Sequence, residues 1–149
     1  MAKLRELLQQ KGNQVITVAS QAAVLDAAQI MNQHRIGCVV VQDGSEVVGI
    51  LSERDILQRV VAACRDPRTT LVAEVMTRQV IFASPDMTVE QAQRLMMEKR
   101  IRHLPVRGED GQLQGMISIG DLNAWEARSK EATIHWLQEY ISGRPASPF

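Results

Sequence analysis

A serine followed three residues later by an aspartate occurs twice in equivalent surroundings, as Ser52 and Asp55 in "SERD" and as Ser118 and Asp121 in "SIGD". Each pair follows an apolar stretch typical of a strand and precedes one typical of a helix. Such an aspartate can accept hydrogen bonds from both hydroxyls of a ribose, while the serine and the first helix amides face a phosphate. The same spacing describes a capping box that only satisfies the helix start. The two interpretations are compatible, and both are kept.

A second polar group stands directly before a predicted buried strand, in "RHLPV". Arg102 is a candidate phosphate ligand because a guanidinium matches phosphate bidentately. His103 is either a ligand contact or a hydrogen-bonded structural histidine. Pro105 removes a ladder donor, which predicts a sheet edge where backbone groups are free to meet a ligand. The equivalent stretch earlier in the chain has Gly37 and Cys38, so a small, uncharged rim replaces the basic one.

These motifs belong to one unit that the sequence contains twice. Residues 15–41 align without a gap on residues 80–106, and, after one inserted residue, 47–57 align on 113–123. Identical residues recur at equivalent positions, among them Val24/Val89, Ala27/Ala92, Arg35/Arg100 and Gly49/Gly115. Chance matching of apolar patterns would not keep this register over a whole unit, so we treat the chain as a tandem repeat.

Each unit is predicted to run strand, helix, strand, strand, helix, which makes the fold α/β (α+β) with two β-α-β-β-α motifs. The predicted elements are strands Val15–Val18 and Val80–Ala83, helices Val24–His34 and Val89–Lys99, and hairpin turns at Asp43-Gly44 and Asp110-Gly111. The strand "CVVV" is apolar on both faces and is expected to be buried on both. Because a unit of about 60 residues is marginal alone, the two are expected to pack through their sheets with pseudo-two-fold symmetry.

Composition excludes several classes of protein. The 149 residues carry 17 basic and 17 acidic side chains and few aromatics, which argues against a nucleic-acid partner. The two cysteines have no CxxC spacing and no nearby histidine, so we expect no metal site and a reducing, cytoplasmic location. No stretch is apolar enough for a signal peptide or a membrane span. The absence of a G-x-S-x-G motif argues against a serine hydrolase, and we expect no enzymatic activity.

The unit resembles the cystathionine-β-synthase (CBS) domain, and two in tandem resemble a CBS pair or Bateman module. The resemblance rests on "GILSERDIL" and "GMISIGDLN", on "RHLPV" and on "VMT" before the second unit. It divides the chain into domains at 8–67 and 76–128, followed by a helix and tail at 129–149. It implies a stand-alone regulatory module whose clefts bind an adenosyl effector, namely AMP, ADP, ATP, NAD or S-adenosylmethionine. It also implies a homodimer and an unidentified regulated protein partner.

The resemblance places Thr17 where CBS modules commonly contact the base or ribose, and its counterpart Phe82 can either stack on a base or block it. The two clefts are therefore expected to differ. The full expected ligand-binding set is Thr17, Gly37, Cys38, Ser52, Arg54, Asp55, Ile81, Phe82, Arg102, His103, Pro105, Ser118 and Asp121.

An amphipathic stretch over 125–145 predicts a terminal helix that ends at Gly143 and Pro145 and that packs on its own module or on a second copy. The alternative function is a structural or interaction protein with vestigial clefts.

Overall fold

The computed structural model describes residues 1–142, so the predicted helix end at Gly143 and Pro145 lies outside the described residues. Six helices and five strands form this part of the chain. They are α1 (Leu4–Lys11), β1 (Thr17–Val18), α2 (Val24–His34), β2 (Cys38–Asp43), β3 (Glu46–Ser52), α3 (Glu53–Ile56, continued by a π-helical turn over Leu57–Val61), α4 (Val72–Val75), α5 (Val89–Lys99), β4 (His103–Arg107), β5 (Leu113–Ser118) and α6 (Ile119–Ile141). The predicted mixed α/β class is confirmed.

Each repeat unit forms its own small sheet. In the first unit β1 pairs parallel with β2, and β2 pairs antiparallel with β3; in the second, β4 pairs antiparallel with β5. Both hairpins turn at the predicted glycines, with φ of 63° at Gly44 and 80° at Gly111, values that tight hairpins require and that glycine adopts without strain. The residues of the "CVVV" strand are all buried, as predicted.

The first strand of each unit is shorter than predicted. In the first unit β1 covers only Thr17–Val18 of the predicted Val15–Val18. Val80–Ala83 contributes one parallel bridge, from Ala83 to Val106. In the first unit the Val40 N–H donates to the Ile16 carbonyl at 3.2 Å; Pro105 occupies the place of Val40 and has no N–H to donate. The prediction that Pro105 marks a sheet edge agrees with the strand order, because β5 is the one strand paired with β4 among residues 1–142. The other side of β4 is partly covered, since the buried Pro105 accepts at its carbonyl from the Ala83 amide at 2.8 Å.

The predicted helices α2 and α5 are confirmed at both ends. The side chains of Thr88 and Gln91 form a capping box at the start of α5. Both helices end at an arginine in the left-handed region, Arg35 with φ 52° and Arg100 with φ 55°, a helix-ending conformation that is uncommon for residues other than glycine and asparagine. The two repeat units therefore share this backbone conformation as well. In each unit it turns the chain sharply before the buried strand.

Each unit's core is completed by the helix that precedes the other unit. Leu4, Leu7 and Leu8 of α1 pack in the core of the second unit. Val72, Val75 and Met76, from α4 and the residue after it, pack in the core of the first. Helix α1 was not predicted, although its leucines lie at the i, i+3, i+4 spacing of an amphipathic helix. The two units are thus joined by exchanged helices as well as by the connecting segment.

The last helix runs without a break from Ile119 to Ile141, so the predicted boundary between residues 128 and 129 falls inside it. Its first turns are anchored by Leu122, which is fully buried. Its second half exposes several large apolar and aromatic side chains: Ile134, Trp136, Leu137, Tyr140 and Ile141. No helix among residues 1–142 is both long and apolar enough to cross a membrane.

Candidate functional site

A cavity of about 240 Å³ lies between the two units, and we call it the inter-unit cavity. The first unit contributes the start of β2 and the end of β3 with the start of α3; the second contributes the end of α5 and the start of β4. Its walls are formed by Gly37, Cys38, Ile50, Ser52, Glu53, Arg54, Asp55, Thr77, Gln79, Val80, Ile81, Arg100, Ile101, Arg102 and His103. The volume is slightly below the range typical of pockets for drug-sized ligands, so an elongated ligand would extend from it toward solvent.

The "SERD" motif forms a capping box that also lines this cavity. The Asp55 amide donates to Ser52 Oγ at 3.2 Å, and Asp55 Oδ2 accepts from the Ser52 amide at 3.0 Å. The other carboxylate oxygen, Oδ1, accepts from Thr77 Oγ1 at 3.0 Å. With the Ser52 hydroxyl also within 3.1 Å of Oδ2, Asp55 is held in one orientation and is only 7% exposed.

Three arginines line the cavity, Arg54, Arg100 and Arg102, and all three residues are exposed. Arg54 Nη1 donates to the carbonyl oxygen of Arg100 at 3.2 Å, which connects the start of α3 to the end of α5. Positive charge at the rim of a cavity attracts anions and raises their local concentration. The arrangement therefore favours a ligand whose buried part is neutral and whose outer part is anionic.

His103 and Glu53 face each other across Gly37. A Cβ atom at Gly37 would come within 2.9 Å of Glu53 Oε1 and 3.6 Å of His103 Cε1, so a larger residue would intrude between the two side chains. Burial lowers the pKa of His103, and the charge of Lys11 adds to the effect, while Glu53 and Asp121 oppose it. The histidine is thus kept neutral and can either donate or accept a hydrogen bond.

Cys38 lies at the start of β2, and the structure has it as a free, buried thiol. Burial, with the nearby charge of Asp55, raises the pKa of its thiol to about 12. Because the thiolate is the nucleophilic form, Cys38 contributes a neutral, apolar wall to the cavity.

The "SIGD" motif forms the same capping box but has a different partner. The Asp121 amide donates to Ser118 Oγ at 3.1 Å, and Asp121 Oδ2 accepts from the Ser118 amide at 2.8 Å. The same Oδ2 accepts from Lys11 Nζ at 2.6 Å, and the ammonium also donates to the Met116 carbonyl at 2.7 Å. Partial burial acts to raise the pKa of Asp121, but the hydrogen bonds from Lys11 and Ser118 outweigh it and lower the pKa.

The inter-unit cavity brings together most, but not all, of the predicted ligand-binding set. Those that line it are Gly37, Cys38, Ser52, Arg54, Asp55, Ile81, Arg102 and His103. Ser118 and Asp121 lie in the separate Lys11 contact. Thr17 is exposed and lines a different depression with Gln42 and Arg107. Phe82 lies outside the cavity too, 3.8 Å beneath the guanidinium of Arg107.

Several cavity residues escaped the sequence reasoning. Thr77 belongs to the "VMT" stretch, and its contact with Asp55 joins residues far apart in sequence. Arg100 was noted only as identical to Arg35 in the repeat, a signal of shared backbone conformation that indicated nothing about a cavity. Glu53 has no repeat identity that would have singled it out, and Gln79, identical to Gln14, lies just before the aligned unit. Within residues 1–142, no group of three His, Cys, Asp or Glu side chains is placed to hold a metal ion.

Comparison with known proteins identifies the repeat unit. A family model described as the CBS domain matches the chain twice, over residues 6–62 and 72–127. The chain belongs to the CBS domain family. The two matches contain the two repeat units, which confirms the resemblance seen in the motifs.

Two relatives show how such pairs occur in other proteins. The chain is 36% identical over 125 residues to the CBS domain-containing protein CBSX3, mitochondrial, of Arabidopsis thaliana, covering 80% of this chain and 60% of that protein. It is 37% identical over 109 residues to the CBS domain-containing protein YhcV of Bacillus subtilis, covering 73% of this chain and 76% of that one. The chain therefore spans less than two thirds of the plant protein and most of the bacterial one.

Solved structures share the whole CBS pair. The CBS domain structure NE2398 superposes with a TM-score of 0.81 at 37% identity, covering 85% of this chain and 99% of that one. The CBS domain protein PAE2072 from Pyrobaculum aerophilum, complexed with AMP, gives 0.71 at 27% identity, covering 80% and 88%. A hexameric CBS-CP12 protein from bloom-forming cyanobacteria gives 0.72 at 25% identity, covering 98% and 86%.

Proposed function

We propose that this CBS pair is a regulatory module that binds an adenosyl nucleotide in the inter-unit cavity and thereby changes its affinity for a protein partner. The observation that carries the proposal is the cavity itself, which is lined by a fixed carboxylate, a helix start and three arginines contributed by the two units. The AMP complex of the related PAE2072 protein supports this ligand class. AMP, ADP, ATP, NAD and S-adenosylmethionine remain the candidate effectors.

Asp55 is the proposed ribose ligand. A carboxylate offers about four lone-pair positions, and the Ser52 amide, the Ser52 hydroxyl and Thr77 Oγ1 engage its oxygens. A ribose hydroxyl can take the remaining position, and it can also replace the Thr77 hydroxyl, which is free to rotate. Because the carboxylate is already held in one orientation, little conformational entropy is lost when the ligand binds.

The base and phosphates are assigned to opposite ends of the cavity. Ile81 lines the cavity, and within residues 1–142 its carbonyl receives no hydrogen bond, because its partner position holds Pro105. This carbonyl can accept from the amino group of adenine. Arg54, Arg100 and Arg102 then face the phosphates, where guanidinium groups form strong charge-assisted hydrogen bonds.

The proposed role is non-catalytic. The hydroxyls of Ser52 and Ser118 accept hydrogen bonds from the Asp55 and Asp121 amides as helix caps. Neither has a hydrogen bond to a histidine that could act as a general base within the described residues, which a nucleophilic serine would need.

Ligand binding would change the relative arrangement of the two units, with a coupling free energy of typically ~1–3 kcal/mol to the partner. The free cysteines support a reducing compartment, and we assign the module to the cytoplasm.

Thermal unfolding in the presence of AMP, ADP, ATP, NADH, S-adenosylmethionine and adenosine tests the proposal. A ligand at about 100 times its dissociation constant stabilises the folded protein by about 2.7 kcal/mol, which gives a clear rise in melting temperature. The absence of a shift with all six compounds at millimolar concentration would refute the proposal.

A matched pair of variants tests the ribose assignment. Asp55→Asn keeps the size of the side chain but removes the charge, and it is expected to weaken the active nucleotide about 10- to 100-fold. Asp26→Asn is the control, since Asp26 is exposed on α2 and away from the cavity. Equal affinity in wild type and Asp55→Asn would show that the ribose binds elsewhere.

The alternative function, an interaction module with vestigial clefts, is favoured by the second half of α6. Leu137 is 44% exposed and Ile141 is 83% exposed on a helix that extends beyond the second unit's core. We assign this face to a second copy of the chain. The CBS-CP12 protein, which matches this chain through α6, is hexameric, so the predicted homodimer is one of several possible assemblies.

Light scattering after size exclusion tests the assembly. Leu137→Glu is expected to yield monomers, whereas Leu137→Met, which keeps an apolar side chain of similar size at the same position, should leave the assembly intact. A wild-type protein that is monomeric at high micromolar concentration would contradict the assignment of this face to a second copy.

A further inference from the structure

The two S-x-x-D motifs have unequal partners because the segments facing them differ. Extending the repeat alignment back from Val15 and Val80 places Gly12 opposite Thr77 and Lys11 opposite Met76. Gly12 has no hydroxyl to donate, so the neutral partner that Asp55 finds in Thr77 is missing at Asp121. The ammonium of the preceding residue, Lys11, contacts Asp121 instead, at Oδ2, the oxygen that also accepts from the Ser118 amide.

Lys11 is held in position by the helix to which it belongs. It is the last residue of α1, whose leucines at positions 4, 7 and 8 are buried in the core of the second unit. The chain turns immediately afterwards at Gly12, with φ of 100°. The ammonium therefore reaches Asp121 from a fixed backbone, and the Met116 carbonyl supplies a second acceptor. We call this contact, made of Lys11, Met116, Ser118 and Asp121, the Lys11 site.

We propose that Lys11 keeps the Lys11 site closed to nucleotide, so that each chain binds a single nucleotide, in the inter-unit cavity. This inference rests on the proposed function and adds to it the stoichiometry and the residue that sets it. At Asp55 a ribose hydroxyl competes with another hydroxyl donor, whereas at Asp121 it must compete with an ammonium, whose hydrogen bond to the carboxylate is strengthened by the attraction between opposite charges.

The chemistry of the two places predicts selection between them. A ribose hydroxyl that displaced Lys11 would break the hydrogen bond between the ammonium and the Met116 carbonyl. Both groups would then have to be solvated again. The same ribose at Asp55 meets a carboxylate that has already been removed from water and retains an acceptor position. The two repeat units thus have equivalent helix starts, but the lysine side chain occupies one of them in place of a ligand.

Titration calorimetry with the nucleotide that gives the largest thermal shift tests this inference. The wild type is expected to bind one nucleotide per chain. Lys11→Met introduces the residue found at the equivalent repeat position and is expected to add a second binding event. Lys130→Met, on the exposed part of α6, is the control and should still bind one. Two equivalent sites in the wild type, or a single site in a folded Lys11→Met variant, would overturn the inference.

A second comparison does not depend on the folding of the Lys11 variant. In an otherwise unchanged chain, Asp121→Asn is expected to leave nucleotide affinity within about twofold, while Asp55→Asn lowers it about 10- to 100-fold. A loss of affinity in Asp121→Asn equal to that in Asp55→Asn would show that nucleotide occupies the Lys11 site. No binding of any nucleotide to the wild type would instead refute the proposed function, so the two failures are distinguishable.

Discussion

Thr77 Oγ1 donates to Asp55 Oδ1 at 3.0 Å, and this hydrogen bond ties the segment after α4 to the first helix start of the inter-unit cavity. The backbone reinforces the contact, because Thr77 and Ile50 exchange N–H to carbonyl hydrogen bonds of 2.8 and 2.9 Å. One residue thus connects the end of the linker, the last strand of the first unit and the carboxylate proposed to bind ribose.

Thr77→Val should destabilise the folded protein by about 1–3 kcal/mol, because it removes the hydroxyl and leaves a buried carboxylate oxygen without its donor. Thr77→Ser keeps the hydroxyl and is expected to lose much less. Urea denaturation gives the difference in unfolding free energy. Thr69→Val, at an exposed position of the linker, is the matched control, and a loss as large as that of Thr77→Val would contradict the role given to the hydroxyl.

Gly49→Ala is expected to destabilise the protein by about 1–3 kcal/mol through overpacking. An added Cβ would lie 2.7 Å from Met76 Sδ and 2.9 Å from the Thr77 carbonyl, and the latter is backbone that cannot move independently. Gly120→Ala is the control, because its Cβ would find only Ser118 Oγ at 3.6 Å, and it should be neutral or stabilising by up to about 1 kcal/mol. Thermal or urea unfolding of both variants measures the difference; similar values for the two would show that Met76 and Thr77 are free to move away.

His103 should make stability depend on pH. Because burial lowers its pKa in the folded protein, the unfolded chain binds the proton more readily, and stability rises with pH. The contribution is fully present above a pH of about 6.5, the ordinary value for histidine, and is lost as the pH falls through the folded-state pKa. His103→Asn should flatten this part of the profile, measured by urea unfolding between pH 5 and 8. His34→Asn, exposed on α2, should retain the wild-type slope.

Alkylation should distinguish the two cysteines. Cys64 is exposed, whereas Cys38 is buried with a pKa raised to about 12, so almost none of its thiol is ionised at neutral pH. Iodoacetamide at pH 8 is expected to modify Cys64 in the native protein and Cys38 only in denaturant, as followed by mass spectrometry of proteolytic peptides. Modification of both at similar rates in the native state would show that the cavity wall opens readily.

The sequence predicted best the local features that both repeat units share. Helices α2 and α5, both hairpin turns and both capping boxes follow from local patterns that depend on neighbouring residues only. The first strand of the second unit was predicted too long because its pairing depends on Pro105, which is distant in sequence and lacks the N–H that Val40 donates. The single bridge beside Pro105, from Ala83 to Val106, could not be inferred from local patterns for the same reason.

The candidate site shows the same division. Ser52, Asp55 and the "RH" pair were found because motifs mark them. Thr77 and Lys11 were missed as the partners of the two aspartates, because each of these contacts joins residues that are distant in sequence. The predicted asymmetry of the two clefts therefore has a cause, the exchange of Lys11 for Thr77, that only the tertiary structure reveals.

The exchanged helices make the second unit discontinuous in the chain. The first unit and the helix that completes its core are contiguous, whereas the second unit needs α1 from the start of the chain, with the whole first unit inserted between its parts. During synthesis the first unit can complete its core while the leucines of α1 still await their partners. A circularly permuted chain that begins at Gly12 and joins α1 behind α6 would make both units contiguous, and it would separate the order of folding from the order of synthesis.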